Sequence, residues 1–237
     1  MSDAGGKRRY YALDVLRGLS ILLMVCYHWG YDLVLYDLLP AWVLYNPLLD
    51  GLQLFFASVF VAISGASSTF SRNNWRRGMK ILLCALAVTA ATYWFDPGSA
   101  VRFGILHFLG AAALLYQLLR PLLDRFPPRP VLCLVLFFAA RLLTRPYYRV
   151  PGLWWLGFRQ PGFSSGDYFP LLPWFFMYLF GVWLGNFLAQ GRAPAWLEAI
   201  RCPWLEKVGR HTLSVYLLHQ PACLGLTLLL ARLLGRI

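Results

Sequence analysis

The run from Leu13 to Asp32, LDVLRGLSILLMVCYHWGYD, is long and apolar enough to cross a bilayer, yet it carries Asp14 and Arg17 near one end and His28 and Asp32 near the other. A span of about 20 apolar residues reads as a transmembrane helix, and ionisable groups at membrane depth are costly enough to mark function by default. Further apolar segments follow, separated by short polar connections: about 48–70, 79–95, 103–119, 131–143, 169–188 and 212–234. The sequence therefore predicts an all-α polytopic membrane protein, a bundle of about seven transmembrane helices with the first starting near Tyr10. The fifth segment, Val131 to Leu143, is shorter than the roughly 20 residues a crossing needs, so six spans result if it is re-entrant.

Composition bears on partners. Hydrophobic residues make up 59% of the 237-residue chain and charged residues 14%, so it lacks a soluble protein's charged surface. The net charge of +12 falls between apolar segments, with no separate basic face carrying stacking aromatics, which argues against nucleic acid and for membrane orientation. Lys and Arg favour the N-terminal side by roughly two to one with seven spans, and by about three to one with six. A cytoplasmic N-terminus is expected either way. Residues 1–9 read as a basic cytoplasmic tail, too polar for a cleavable leader, and 10–237 as a single transmembrane domain. The five cysteines are scattered, without metal-site or redox-pair spacing.

Chemistry is sought where ionisable residues interrupt apolar helices. His28 and Asp32 are spaced to share a helix face, where a carboxylate can orient an imidazole as a general base. His107 lies about one turn inside the fourth span in VRFGILHFLG, either as a second acid/base or as a buried hydrogen-bonding residue. Asp14 and Arg17 can pair, or Arg17 can join Arg72, Arg76, Arg77 and Lys80 in a cationic mouth for phosphates. His211 starts the last helix, and His219 lies two turns deeper, followed by the helix-disturbing Gln220-Pro221. The histidine spacing gives no metal-ligand motif, and no phosphate-binding or nucleophile-elbow motif is present.

LDVLRGLSILLMVCYHWGYDL, RFGILHFLG, GDYFPLLPWFFMYLFGVWLG and VGRHTLSVYLLHQPA, in that order from Tyr10 to Ala222, resemble the heparan-α-glucosaminide N-acetyltransferase-like catalytic domain family in its short bacterial form. The resemblance implies a multi-pass acyltransferase of the bacterial inner membrane. Such an enzyme takes acetyl-CoA on the cytoplasmic side and acetylates an acceptor, typically a sugar, on the other. It also implies an external loop over Arg145 to Asp167, and hence seven spans. The lysosomal relative has asparagine where His28 stands and carries its catalytic histidine in the loop after that helix, whereas this chain has no histidine between Asp32 and Phe70. On this reading His28, Asp32 and His107 are the candidate catalytic residues. Asp14, Arg17, Arg72, Arg76 and His211 are candidates for the acyl-CoA end, and Arg102, Asp167 and His219 for the acceptor. No metal is expected. A proton-coupled carrier or flippase for a glycan or lipid-linked substrate is the alternative, and a homodimer is left open.

Overall fold

A computed structural model describes residues 10–191 and 193–236. The basic tail expected at residues 1–9 lies outside the described residues. Six helices are long and apolar enough to cross a membrane: α1 (Tyr11–Leu35), α2 (Pro47–Phe70), α3 (Asn74–Phe95), α4 (Ile105–Arg125), α6 (Leu171–Ala189) and α9 (Thr212–Leu233). Between them lie α5 (Pro130–Leu143), two short helices, α7 (Ala195–Ala199) and α8 (Pro203–Arg210), and one 3-10 turn, Ala41–Val43. With 14 residues, α5 is about 21 Å long, short of a hydrocarbon core of about 30 Å. Its Val131, Val135, Phe138 and Leu142 are nonetheless exposed, as on a lipid-facing helix.

Helix boundaries differ from the hydropathy reading where charge or proline interrupts an apolar run. The charged stretch expected as a connector into the third span is instead the opening of α3. The Asn73 side chain accepts the Arg76 N–H at 2.9 Å, an N-cap that starts the helix one turn before the apolar run. Pro121 sits inside α4, which continues to Arg125. Asp96-Pro97-Gly98 forms a turn after α3: Asp96 accepts the Ser99 hydroxyl at 2.6 Å and the Gly98 N–H at 3.0 Å, and these bonds hold its carboxyl below the usual range.

The single domain expected over 10–237 contains two compact units, Met1–Phe60 with Ala193–Ile237, and Val61–Arg192. In the first, α1 packs on α8 and α9. A Cβ added at Gly18 would meet the Leu205 carbonyl, and one at Gly209 the Asp14 carbonyl, so α1 and α8 touch backbone to backbone. In the second, α3 packs on α4 and α5 on α6. Here Gly65 and Gly181 bring the end of α2 against α6, their absent side chains facing the carbonyls of Tyr178 and Ala62. The loop expected between the fifth and sixth helices is present and held by aromatic packing. Trp154 stacks on Phe163 at 5.7 Å, and the Tyr168 hydroxyl donates to the Trp154 carbonyl at 2.6 Å. Burial pushes the Tyr168 phenol up to about 12.

Candidate functional site

In the first unit, α1 and α9 bring two histidines together. His28 Nδ1 lies 2.8 Å from His219 Nε2, with ring centroids 5.1 Å apart and planes inclined by 25°. The second nitrogen of His219, Nδ1, lies 2.5 Å from the Tyr216 carbonyl one turn earlier on α9. His219 is 8% exposed, whereas His28 is only partly covered. Among the described residues, the buried side-chain nitrogens and oxygens without a hydrogen bond are Trp29 Nε1, Asn74 Oδ1, Arg159 Nε and Thr227 Oγ1. His28 Nε2 is not among them, and among the described residues its ring is hydrogen-bonded through Nδ1 alone.

Asp32, 3% exposed, shares the α1 face with His28 but bonds elsewhere. Both its oxygens accept from Gln220 Nε2, at 3.0 and 3.1 Å. Consecutive residues of α9 thus take the two polar residues that α1 presents four positions apart. The residue on His28 is a histidine and not the carboxylate that helical spacing offers.

Toward the start of α1 lies a charged network. Arg17 reaches Asp14 at 3.3 Å, and Arg210 reaches Asp14 at 3.9 Å and Glu206 at 3.3 Å. Arg201 bonds Glu206 at 2.8 Å and stands 3.7 Å over the Tyr11 ring. Glu206 is only 2% exposed, and its one signal in the sequence is the four-residue spacing to Arg210. The Arg201 hydrogen bond and the two guanidinium charges hold its carboxyl below the ordinary 4.5, against the opposing effect of burial. A carboxylate lowered on folding stabilises above its unfolded pKa, and that contribution is lost as pH falls through the folded value. The melting temperature of the wild type is therefore expected to fall as pH drops from about 4.5 downwards. Glu206→Gln should start lower at neutral pH and lose less over the same acid range, as thermal unfolding of the purified protein in detergent would record. His211, exposed at the head of α9, donates from Nδ1 to the Lys207 carbonyl at 2.9 Å.

In the second unit, His107 is engaged at both ring nitrogens. Nδ1 accepts the Gly104 N–H at 3.3 Å, and Nε2 lies 3.1 Å from Thr89 Oγ1, whose own proton goes to the Val101 carbonyl at 2.6 Å. The sense of each bond is thereby fixed, with His107 donating from Nε2. Asp167 accepts the Ile105 N–H at 2.8 Å, so both residues secure the start of α4, whose first N–H groups lack intrahelical partners. The Arg102 guanidinium lies over the Phe163 ring at 5.7 Å.

The charge run at the start of α3 divides. Arg72, Arg76 and Lys80 are exposed, but Arg77 turns inward to donate to Ser68 Oγ at 2.7 Å and to the Ser64 carbonyl at 3.3 Å, with Tyr178 hydrogen-bonded to the same Ser68 oxygen. Among the described residues, no three His, Cys, Asp or Glu side chains converge as a metal site requires.

Six apolar spans with polar side chains paired across them define a polytopic helical membrane protein whose interior carries ionisable groups. The family profile described as heparan-alpha-glucosaminide N-acetyltransferase, catalytic, matches residues 9–221, and the chain belongs to that family. It is accordingly a transmembrane acetyltransferase by class. Comparison with curated proteins gave no match, nor did comparison with solved structures.

Proposed function

We propose that the protein transfers an acetyl or other short acyl group from cytoplasmic acyl-CoA to a hydroxyl or amine of an envelope or exported glycan, as a multi-pass enzyme of the bacterial inner membrane. The observation that carries the reading is His28: a histidine in a membrane-crossing helix, hydrogen-bonded to a second histidine through Nδ1, with no hydrogen bond to Nε2 among the described residues. In the proposed reaction His28 Nε2 takes the proton of the acceptor O–H or N–H as that atom attacks the thioester carbonyl. The C–S bond breaks, and the departing thiolate takes the proton back from the imidazolium. The products are acylated acceptor and free CoA, with the histidine regenerated.

The remaining candidates divide by their bonds. Exposed Arg72 and Arg76 in the second unit are suited to anchor CoA phosphates from a cytoplasmic face, and exposed His211 in the first unit is a separate candidate for the same role. Asp14 and Arg17 are committed to the α1–α8 charge network and are proposed to be structural. His107, with both nitrogens taken, and Asp167 are proposed to hold the α4 start in place, with Arg102 nearest the acceptor side. Asp32 is proposed to hold α1 to α9 through Gln220. The proposed topology has the N-terminus inside and seven crossings, the fifth a short one, which puts the α5–α6 loop on the acceptor side.

Calorimetry and thermal shift on the detergent-purified protein test the donor. CoA and acetyl-CoA should each raise the melting temperature in a concentration-dependent way, because a ligand that binds only the folded state stabilises it. Stabilisation by glycan or lipid-linked sugar alone, with no response to CoA, would replace the enzyme with the carrier reading.

A further inference from the structure

From the bonds of the two histidines we infer that His219 is a positioning residue that fixes His28 in the tautomer protonated at Nδ1, leaving Nε2 as the basic nitrogen. The carbonyl of Tyr216 can only accept a hydrogen bond. His219 Nδ1, 2.5 Å from that oxygen, must therefore carry a hydrogen. In a neutral imidazole one nitrogen donates and the other accepts, so His219 Nε2 holds a lone pair. Its neighbour at 2.8 Å is His28 Nδ1, which must donate. The neutral pair then has one hydrogen on each Nδ1, and the remaining lone pair falls on His28 Nε2, which has no hydrogen bond among the described residues.

Polarity and geometry agree in this arrangement. The carbonyl orients His219 as a carbonyl or carboxylate orients a metal- or substrate-facing histidine elsewhere, and His219 passes that orientation to His28. When His28 Nε2 captures a proton, the Nδ1–H bond to His219 becomes charge-assisted and shorter, and the Nδ1 proton can move toward His219 Nε2, spreading the positive charge over two rings. An imidazolium at membrane depth is costly without such a partner. Asp32 is bonded to Gln220 and makes no hydrogen bond to His28 among the described residues.

The inference rests on the acyltransferase reading only for its kinetic consequence, and its first test needs no substrate. Protein labelled with 15N-histidine is examined by solid-state NMR in lipid bilayers, with the His28 resonances identified by their loss in His28→Gln. The expected wild-type spectrum shows a protonated Nδ1 and an unprotonated Nε2 on His28; a proton on Nε2 in the neutral ring overturns the inference. His219→Leu keeps bulk but removes the acceptor, and should move the His28 proton to Nε2. In acyl transfer it should lower kcat by about 10²-fold with little change in KM for the donor, and His219→Gln, which retains an acceptor oxygen, should recover about tenfold of that loss. Full activity in His219→Leu counts against the inference. If His219→Leu fails to fold, the wild-type spectrum alone decides. A wild-type spectrum as expected, in a protein that transfers no acyl group, supports the histidine assignment and overturns the acyltransferase reading.

Discussion

Replacing His28 by glutamine is expected to lower acyl transfer by about 10³-fold, within the span that a positioned general base contributes. Glutamine keeps much of the side chain's bulk and can still hydrogen-bond His219, so the α1–α9 contact should survive, but its amide does not take up a proton near neutral pH. The loss should fall on kcat, because His28 is proposed to act on the acceptor's proton during bond formation and not to hold the CoA phosphates. Steady-state release of CoA, measured beside a melting curve within a few degrees of wild type, gives the comparison. Turnover equal to wild type in a folded His28→Gln protein would remove His28 from the chemistry.

Removing Asp14 should be the most damaging of the structural changes, at about 3 kcal/mol, the lower end of what breaking a buried ion pair costs. Asp14 is 8% exposed and stands within ion-pair distance of both Arg17 and Arg210. Arg210 is 43% exposed and keeps Glu206, so the loss falls mainly on Arg17, 18% exposed, at a point where the Asp14 backbone meets α8 at Gly209 and the helices cannot shift apart easily. Asp14→Ala should lower stability in a denaturant titration of mixed micelles, and Asp14→Ala with Arg17→Ala should cost less than the two single changes added together. A loss under about 0.5 kcal/mol would mean that the pair behaves as an exposed one, whatever its burial.

These residues also show what the chain itself discloses. The apolar runs place α2, α6 and α9 nearly to their ends, because a membrane span must be long, apolar and helical, whereas α4 runs six residues past its apolar stretch through Pro121. Where charge begins a helix the hydropathy signal fails, and α3 starts earlier than its apolar run because Asn73 caps it over Arg76 and Arg77. His28 stands out in sequence because an imidazole is expensive in a span; its partner does not, since 191 positions separate it from His219 and only folding joins them. The local spacing that offers Asp32 to His28 is real, but Gln220 competes for the carboxylate and takes it. The sequence leaves His107 open between a catalytic and a structural role, and its bonds to Gly104 and Thr89 depend on how the α3–α4 turn closes. Glu206 sits in a short amphipathic connector whose pattern does not say which of its charges turns inward, and its burial follows from α8 lying against α1.

The central claim is that this protein moves an acyl group from CoA to an acceptor by way of His28, and labelled transfer in proteoliposomes tests it most directly. Acetyl-CoA labelled in the acetyl group is supplied outside vesicles into which the protein has been reconstituted in mixed orientation, with a panel of amino and hydroxyl sugars enclosed. The account predicts labelled, acetylated sugar inside wild-type vesicles and almost none with His28→Gln. Wild-type protein that binds the sugars or carries them across the bilayer, yet leaves every one of them unlabelled, would contradict it.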